Sequence, residues 1–343
     1  MKSKCYLIIL LTFIHPLISI GQGQDNSPAG VMISHGHPKG GWMLSYSFMH
    51  MKMKDNLMGS TKVSDEKVFV DYLMSPQSMR MDMHMIMFMY GLTGRLSLMA
   101  MGSYINSSMD MNMLPGTMHM HGGSMEMASN STNMNMTSSG FGDTKLWSIY
   151  KLLNGESSSL VISLGVNMPT GSISVDGGND PMFHGQRLPY MMQLGSGSVD
   201  FMPGLTYLKK SKKFAWSVQA LSVLRPMDNK FGYHYGNEVN LNAWTAYQIR
   251  PFLSASLRAE GFNCGSVSGS DKKIYYAMEP DADPRNYGGT KLNLHAGLNF
   301  YLDKGIFKET KIGVEFGAPV YQKVNGIQLA YSHMLSAGIT KSF

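Results

Sequence analysis

The residues from Met79 to Tyr90 read MRMDMHMIMFMY, with methionine at 79, 81, 83, 85, 87 and 89. A thioether is a soft ligand that selects Cu(I) and similar soft cations over Mg or Ca. On a β-strand a two-residue beat puts these sulfurs on one face, roughly 6.5–7 Å apart along the chain. Cross-strand neighbours lie about 5 Å away at the backbone, within reach of a flexible side chain. Met79, Met81, Met83 and Met85, together with Met49, Met51 and Met53 before them and Met99 and Met101 after them, therefore read as a ladder of two- or three-sulfur sites.

A second cluster occupies residues 106–139, where Met109, Met111, Met113, Met118, Met120, Met125, Met127, Met134 and Met136 stand among Ser, Asn, Thr and Gly. By composition this is a solvated loop. Packing does not ask for methionine there, and each one is open to oxidation. His119 and His121 add imidazole, which widens the choice from Cu(I) or Ag(I) to Cu(II). His35 and His37 form a smaller candidate site. Two other readings of the loop stay open: a methionine bias that binds nothing, and a sacrificial oxidant trap.

The elements that would position these residues are strands. Period-two alternation predicts twelve, at about 41–54, 78–90, 95–105, 140–153, 157–168, 197–208, 213–225, 236–249, 252–263, 289–302, 309–318 and 327–342. Long joints alternate with short ones, the long set being 55–77, 106–139, 169–196, 226–235, 264–288 and 319–326. This is the pattern of a transmembrane antiparallel β-barrel, all-β, with short periplasmic turns, long external loops and both termini inside. Trp42, Tyr90, Tyr104, Trp147, Tyr207, Trp216 and Tyr301 fall at strand ends as expected interfacial girdles. Ser64 to Leu73 opens like a capped helix in the first external loop.

Facing follows from the first strand. Trp42, Leu44, Tyr46 and Phe48 form a large apolar face suited to lipid, which turns Ser45, Ser47 and the intervening methionines inward. The second strand taken alone allows the opposite, with Arg80, Asp82 and His84 in the lumen and methionine against lipid. The inward reading requires Arg80 and Asp82 to lie above the hydrocarbon.

Lys2 and Lys4, an apolar run from Tyr6 to Ile20 and a small-residue end at Gly21 predict a signal peptide over 1–21, followed by a short periplasmic segment over 22–40 and the barrel over 41–343. No later stretch reaches 18 consecutive apolar residues, which excludes a transmembrane helix. The formal net charge of +6 includes no basic block and does not point to nucleic acid. No phosphate loop, Gly-x-Ser-x-Gly or His-Glu-x-x-His is present, and no catalytic residue is nominated. Asp281-Ala282-Asp283 has the acidic pair to bind a cation but reads more simply as a solvated acidic loop, and His184, His234, His295 and His333 read as single girdle or lumen residues.

HGHPKGGWMLSYSFMHMKM (35–53), the stretch 79–104, GFGDTKLWSIYKL (140–152), LGVNMPTGS (164–172) and LPYMMQLGSGSVDFMPGLTYL (188–208) resemble a family of outer-membrane barrels labelled "meta-pathway of phenol degradation", or simply "transporter". The resemblance implies uptake of small molecules and no catalytic residues. The repeated Met-x-Met and Met/His stretches resemble those of bacterial copper-resistance proteins. The expectation is an outer-membrane barrel that binds and conducts soft metal ions, with outer-membrane lipid and a periplasmic metal carrier as partners and no organic cofactor. The alternatives are a passive channel for small organic or aromatic solutes and a structural or adhesive surface barrel.

Overall fold

The computed structural model describes residues 26–343, apart from 34, 122–123, 128–132 and 178–184. Twelve antiparallel strands close on themselves: β1 (Trp42–Met58), β2 (Met74–Gly91), β3 (Leu96–Met113), β4 (Asn133–Phe141 continuing as Thr144–Asn154), β5 (Ser158–Met168), β6 (Asp200–Lys210), β7 (Phe214–Val223), β8 (Glu238–Arg250), β9 (Leu253–Cys264), β10 (Gly289–Leu302), β11 (Thr310–Val324) and β12 (Ile327–Ser342). The seam pairs β1 with β12, from Met43↔Ser342 to Met58↔Ile327. At its foot Trp42 stacks on Phe343 at 3.7 Å between ring centroids, and each backbone N–H donates to the other's carbonyl. Closure leaves no strand edge, the condition for a sheet to cross a bilayer.

The expected strand count and alternation are both present. Short turns join β2–β3, β4–β5, β6–β7, β8–β9 and β10–β11 at the end that carries Trp42 and Phe343, here called the turn end. Two expected loops are shorter. The segment expected as a loop over 319–326 shrinks to Asn325 and Gly326, because β11 and β12 run on as paired strands. The loop expected over 106–139 begins only after Met113, and Asn133 already rejoins the sheet. Met109, Met111 and Met113 share one face there, while Asp110 and Asn112 take the other, so a polar-looking segment still alternates as a strand. The expected helix in the first loop is a single turn, Asp65–Val68.

Facing resolves in favour of inward methionine. Met43, Ser45, Ser47, Met49, Met51 and Met53 are buried, whereas Trp42, Leu44 and Tyr46 are exposed on the outer surface. On β2 the methionines at 79–89 are buried, with Ile86, Phe88 and Tyr90 outside. Above Phe48 the outer face turns polar, and several of its polar side chains are partnered. His50 Nδ1 lies 2.6 Å from Asp82, Asp82 lies 3.3 Å from Arg80, and His84 Nδ1 lies 2.8 Å from Tyr46 Oη. The strands therefore continue beyond the apolar band toward the loop end. Two girdle assignments are corrected. Trp147 and Tyr301 point inward and are buried, Trp147 against Gly165 and Tyr301 with its hydroxyl 2.9 Å from Asn26.

The segment 26–40, expected to lie in the periplasm, instead threads into the bore. The Asn299 amide donates to the Ser27 carbonyl, and Gly30 N–H donates to Glu315 at 2.7 Å. The Gln219 amide donates to the carbonyls of Met32 and Ile33, and Thr206 Oγ1 donates to that of Ile33. His37 N–H donates to Ser97 Oγ at 2.9 Å. These partners sit on β10, β11, β7, β6 and β3, so the segment crosses the whole turn-end half of the barrel. The expected signal peptide lies outside the described residues.

Candidate functional site: the methionine wall of the bore

One half of the interior, from β12 through β1, β2 and β3 to the first part of β4, is faced with methionine. Strand register lines the residues up in rungs. Met53 stands opposite Met79, Met79 opposite Met109, and Met109 opposite Met136. Met334, Met51 and Met81 form another rung, Met43, Met89 and Met99 a third, Met87 and Met101 a fourth, and Met111 and Met134 a fifth. Met49 faces Met83, whereas Met85 lies between Ser47 and Ser103. Methionine is unbranched and polarizable, so such a surface adapts to an irregular neighbour at low cost.

The structure thus gathers Met49, Met51, Met53, Met79, Met81, Met83, Met85, Met99, Met101, Met109, Met111, Met113 and Met136 into one buried cluster, with Met134 packed against it. Met109, Met111, Met113, Met134 and Met136 are wall residues rather than loop residues, because the sheet extends above the apolar band. Met118–His121 and Ser124–Met127 form a separate two-stranded hairpin, with Met118 opposite Met127, Met120 opposite Met125, and His119 opposite Glu126. His35 and His37 lie on the threaded segment, their rings 5.2 Å apart. His37 Nε2 is 3.3 Å from the sulfur of Met43. Burial, then the Lys151 ammonium, pushes the His37 imidazole down to about 4, so the ring is neutral at pH 7. Among the described residues no group of three or more His, Cys, Asp or Glu is arranged to hold a metal.

The facing half of the bore is polar, and sequence reasoning missed it. Arg258 on β9 donates to Glu315 Oε1 at 2.8 Å through Nε and to Asn242 at 2.7 Å through Nη1. Glu260 accepts from Asn240 at 2.9 Å and Asn293 at 3.0 Å, and lies 3.2 Å from His295 Nε2. Arg258, Glu260 and Glu315 are each 1% exposed in their side chains. The signal was available: Arg258 and Glu260 occupy the inward beat between outward Leu257 and intermediate Ala259. Of the single histidines, His295 is a lumen residue, His333 is on the outer side near Phe316, and His234 pairs with Asp228 in a loop. His184 lies outside the described residues.

At the loop end, inward-folded loops cap the bore. Tyr190, Tyr233, Tyr235 and Tyr287 pack ring to ring, and Tyr235 Oη donates to the Tyr190 carbonyl at 2.9 Å. Arg225 pairs with Asp200 at 3.4 Å and with Glu238. The acidic loop expected to be solvated is part of this cap. Asp281 and Glu279 are each 2% exposed. Among the described residues, neither oxygen of Asp281, nor Oε2 of Glu279, has a hydrogen-bond partner.

Burial lifts Asp281 from an ordinary 3.8 to about 7 and raises Glu279 well above its usual range. A carboxyl whose folded value is raised binds its proton more tightly when docked. The docked loop is thus undisturbed below about pH 4 and loses stability as pH rises toward 7. Amide exchange around residues 277–287, corrected for intrinsic rates, is expected to quicken across that window. The double variant Glu279→Gln/Asp281→Asn should remove the trend, and an unchanged trend in that variant would assign it to other groups.

No family model matches the chain, and no curated protein matches it. Solved structures do. An outer membrane channel from Pseudomonas putida F1 is 14% identical over 90% of this chain and 98% of that one, with a TM-score of 0.59. The transport unit of the autotransporter AIDA-I from Escherichia coli (10% identity, 91% and 93% coverage) gives 0.46. The Pseudomonas putida toluene transporter TodX (10% identity, 89% and 90% coverage) gives 0.38. The first of these shows a shared barrel architecture; at such identities the likeness is one of fold.

Proposed function

We propose that this barrel is an outer-membrane channel for small, weakly polar organic solutes. The observation that carries the reading is the divided interior, with a methionine-rich wall on one side and a hydrogen-bonded Asn/Arg/Glu/His wall on the other. An open porin lumen is uniformly polar because water fills it. A thioether wall instead receives apolar groups, repacks around them, and forms no directional bonds that would hold them. The facing polar wall would align a hydroxyl or carboxylate. The apolar outer band and closed sheet fit a bilayer, and the Pseudomonas putida channel of the same architecture agrees with that placement.

Flux into proteoliposomes tests the proposal. Phenol- and benzoate-sized solutes are expected to enter several-fold faster than a sugar of similar mass, and exchanging Met51, Met81 and Met101 for Ser should erase the preference. Equal rates for both solute classes, or faster sugar entry, would sink the reading. The in-register rung Met53–Met79–Met109–Met136 favours a second reading, in which the solute is a soft cation such as Cu(I) or Ag(I) exchanging between weak thioether sites. Saturable Ag(I) flux that falls when that rung is replaced by leucine would support this second reading.

A further inference from the structure

We infer that the threaded N-terminal segment holds a soft-cation site of its own, in which His37 Nε2 and the Met43 thioether bind one Cu(I) or Ag(I) ion and fasten the segment to the barrel wall. The two donor atoms already face each other at 3.3 Å, and both residues are essentially buried, at 1% and 0% exposure. With the bond lengths of zinc sites as a guide, about 2.0 Å to nitrogen and about 2.3 Å to sulfur, two donors lie about 3.5 Å apart around a tetrahedral ion. A spread of a few tenths of an ångström would therefore admit one.

The imidazole is held in place from both sides of its own backbone. His37 N–H donates to Ser97 Oγ at 2.9 Å, and its carbonyl accepts from Lys151 Nζ at 3.3 Å. Met43 stands opposite Met89, and Met89 opposite Met99, all inward and buried. Met89, the direct cross-strand neighbour of Met43, is placed to bring a second thioether toward the same ion. One neutral imidazole with thioethers and no carboxylate favours a soft monovalent cation over Mg or Ca. On binding, the imidazole proton moves to Nδ1 and the Nε2 lone pair turns to the metal; no redox step is involved. The site does not depend on which solute the barrel passes.

The test uses the refolded full chain with Met118, His119, Met120, His121, Met125 and Met127 all changed to Ser, which removes the hairpin as a competing ligand. Titration with Ag(I) is expected to show a tight site that His37→Ala and Met43→Leu each weaken by about tenfold or more. Met43→Leu conserves volume and should fold normally. X-ray absorption of the Cu(I) form should show nitrogen with sulfur in this background, and sulfur alone after His37→Ala. Undiminished Ag(I) affinity in His37→Ala, or sulfur-only scattering before that change, would overturn the site and reduce the 3.3 Å contact to a hydrogen bond. Neither result bears on organic-solute flux, so the two proposals fail separately.

Discussion

Removing residues 26–37 is expected to raise solute flux through the barrel on the order of tenfold or more, because a minor open state of roughly 0.1–10% would become the dominant one. The segment threads the turn-end half of the bore and is held there by side chains from β10, β11, β7, β6 and β3, including Asn299, Glu315, Gln219, Thr206 and Ser97. Most of its bonds are to backbone carbonyls, so its grip depends on the path of the segment more than on its side chains. The barrel itself should survive, since its sheet closes through Trp42 and Phe343 without help from the segment. Single-channel conductance in planar bilayers checks both points: frequent long openings in the truncated form, brief or absent ones in the parent. Identical conductance in the two forms would move the barrier to the tyrosine-lined cap at the loop end.

The second large effect is on stability. Arg258→Met should cost about 3–5 kcal/mol, the usual penalty for removing one partner of a buried charge cluster. Arg258 serves Glu315, Glu260 and Asn242 at once, and its loss leaves two buried carboxylates without their shared cation. Gly30 belongs to the same contact, because a Cβ there would stand 2.5 Å from Arg258 Nη2. The penalty is one of leaving charge unpaired, so the triple variant Arg258→Met/Glu260→Gln/Glu315→Gln should recover much of it. Guanidinium unfolding in detergent micelles, followed by the mobility shift between folded and heat-unfolded barrels, measures this. A single variant as stable as the parent, or a triple variant no better than the single, would mean that the carboxylates find other partners.

Much of the architecture is written in the two-residue beat. An outer face against lipid must be apolar, so Trp42, Leu44, Tyr46 and Phe48 fix which way β1 faces, and pairing carries that choice to Met79–Met89 and Met99. The beat fails where a strand is irregular. On β12 the alternation from Leu335 places Tyr331 outside, yet Tyr331 and Met334 are both buried. The register slips between Lys52 and Met53, where His333 and then Tyr331 are the partners. One extra residue moves the rest of the strand to the other face. Trp147 and Tyr301 depart from the girdle expectation for a different reason: an aromatic ring near a strand end suits either an interface or a tightly filled bore, and only the neighbours decide.

By itself, then, the sequence determined the closed twelve-stranded barrel and the outward apolar face of β1, because period, turn spacing and the demand of lipid for apolar surface are local; the facing of Met79–Met89 stayed open until strand pairing and burial decided it. Tertiary structure alone decided that Met53, Met79, Met109 and Met136 share a rung, that Arg258 meets Glu315, and that residues 26–37 lie inside. Those juxtapositions depend on register between strands far apart in the chain and on which polar segments find enough hydrogen bonds within the bore to leave water. Neither condition is expressed in any single stretch of residues.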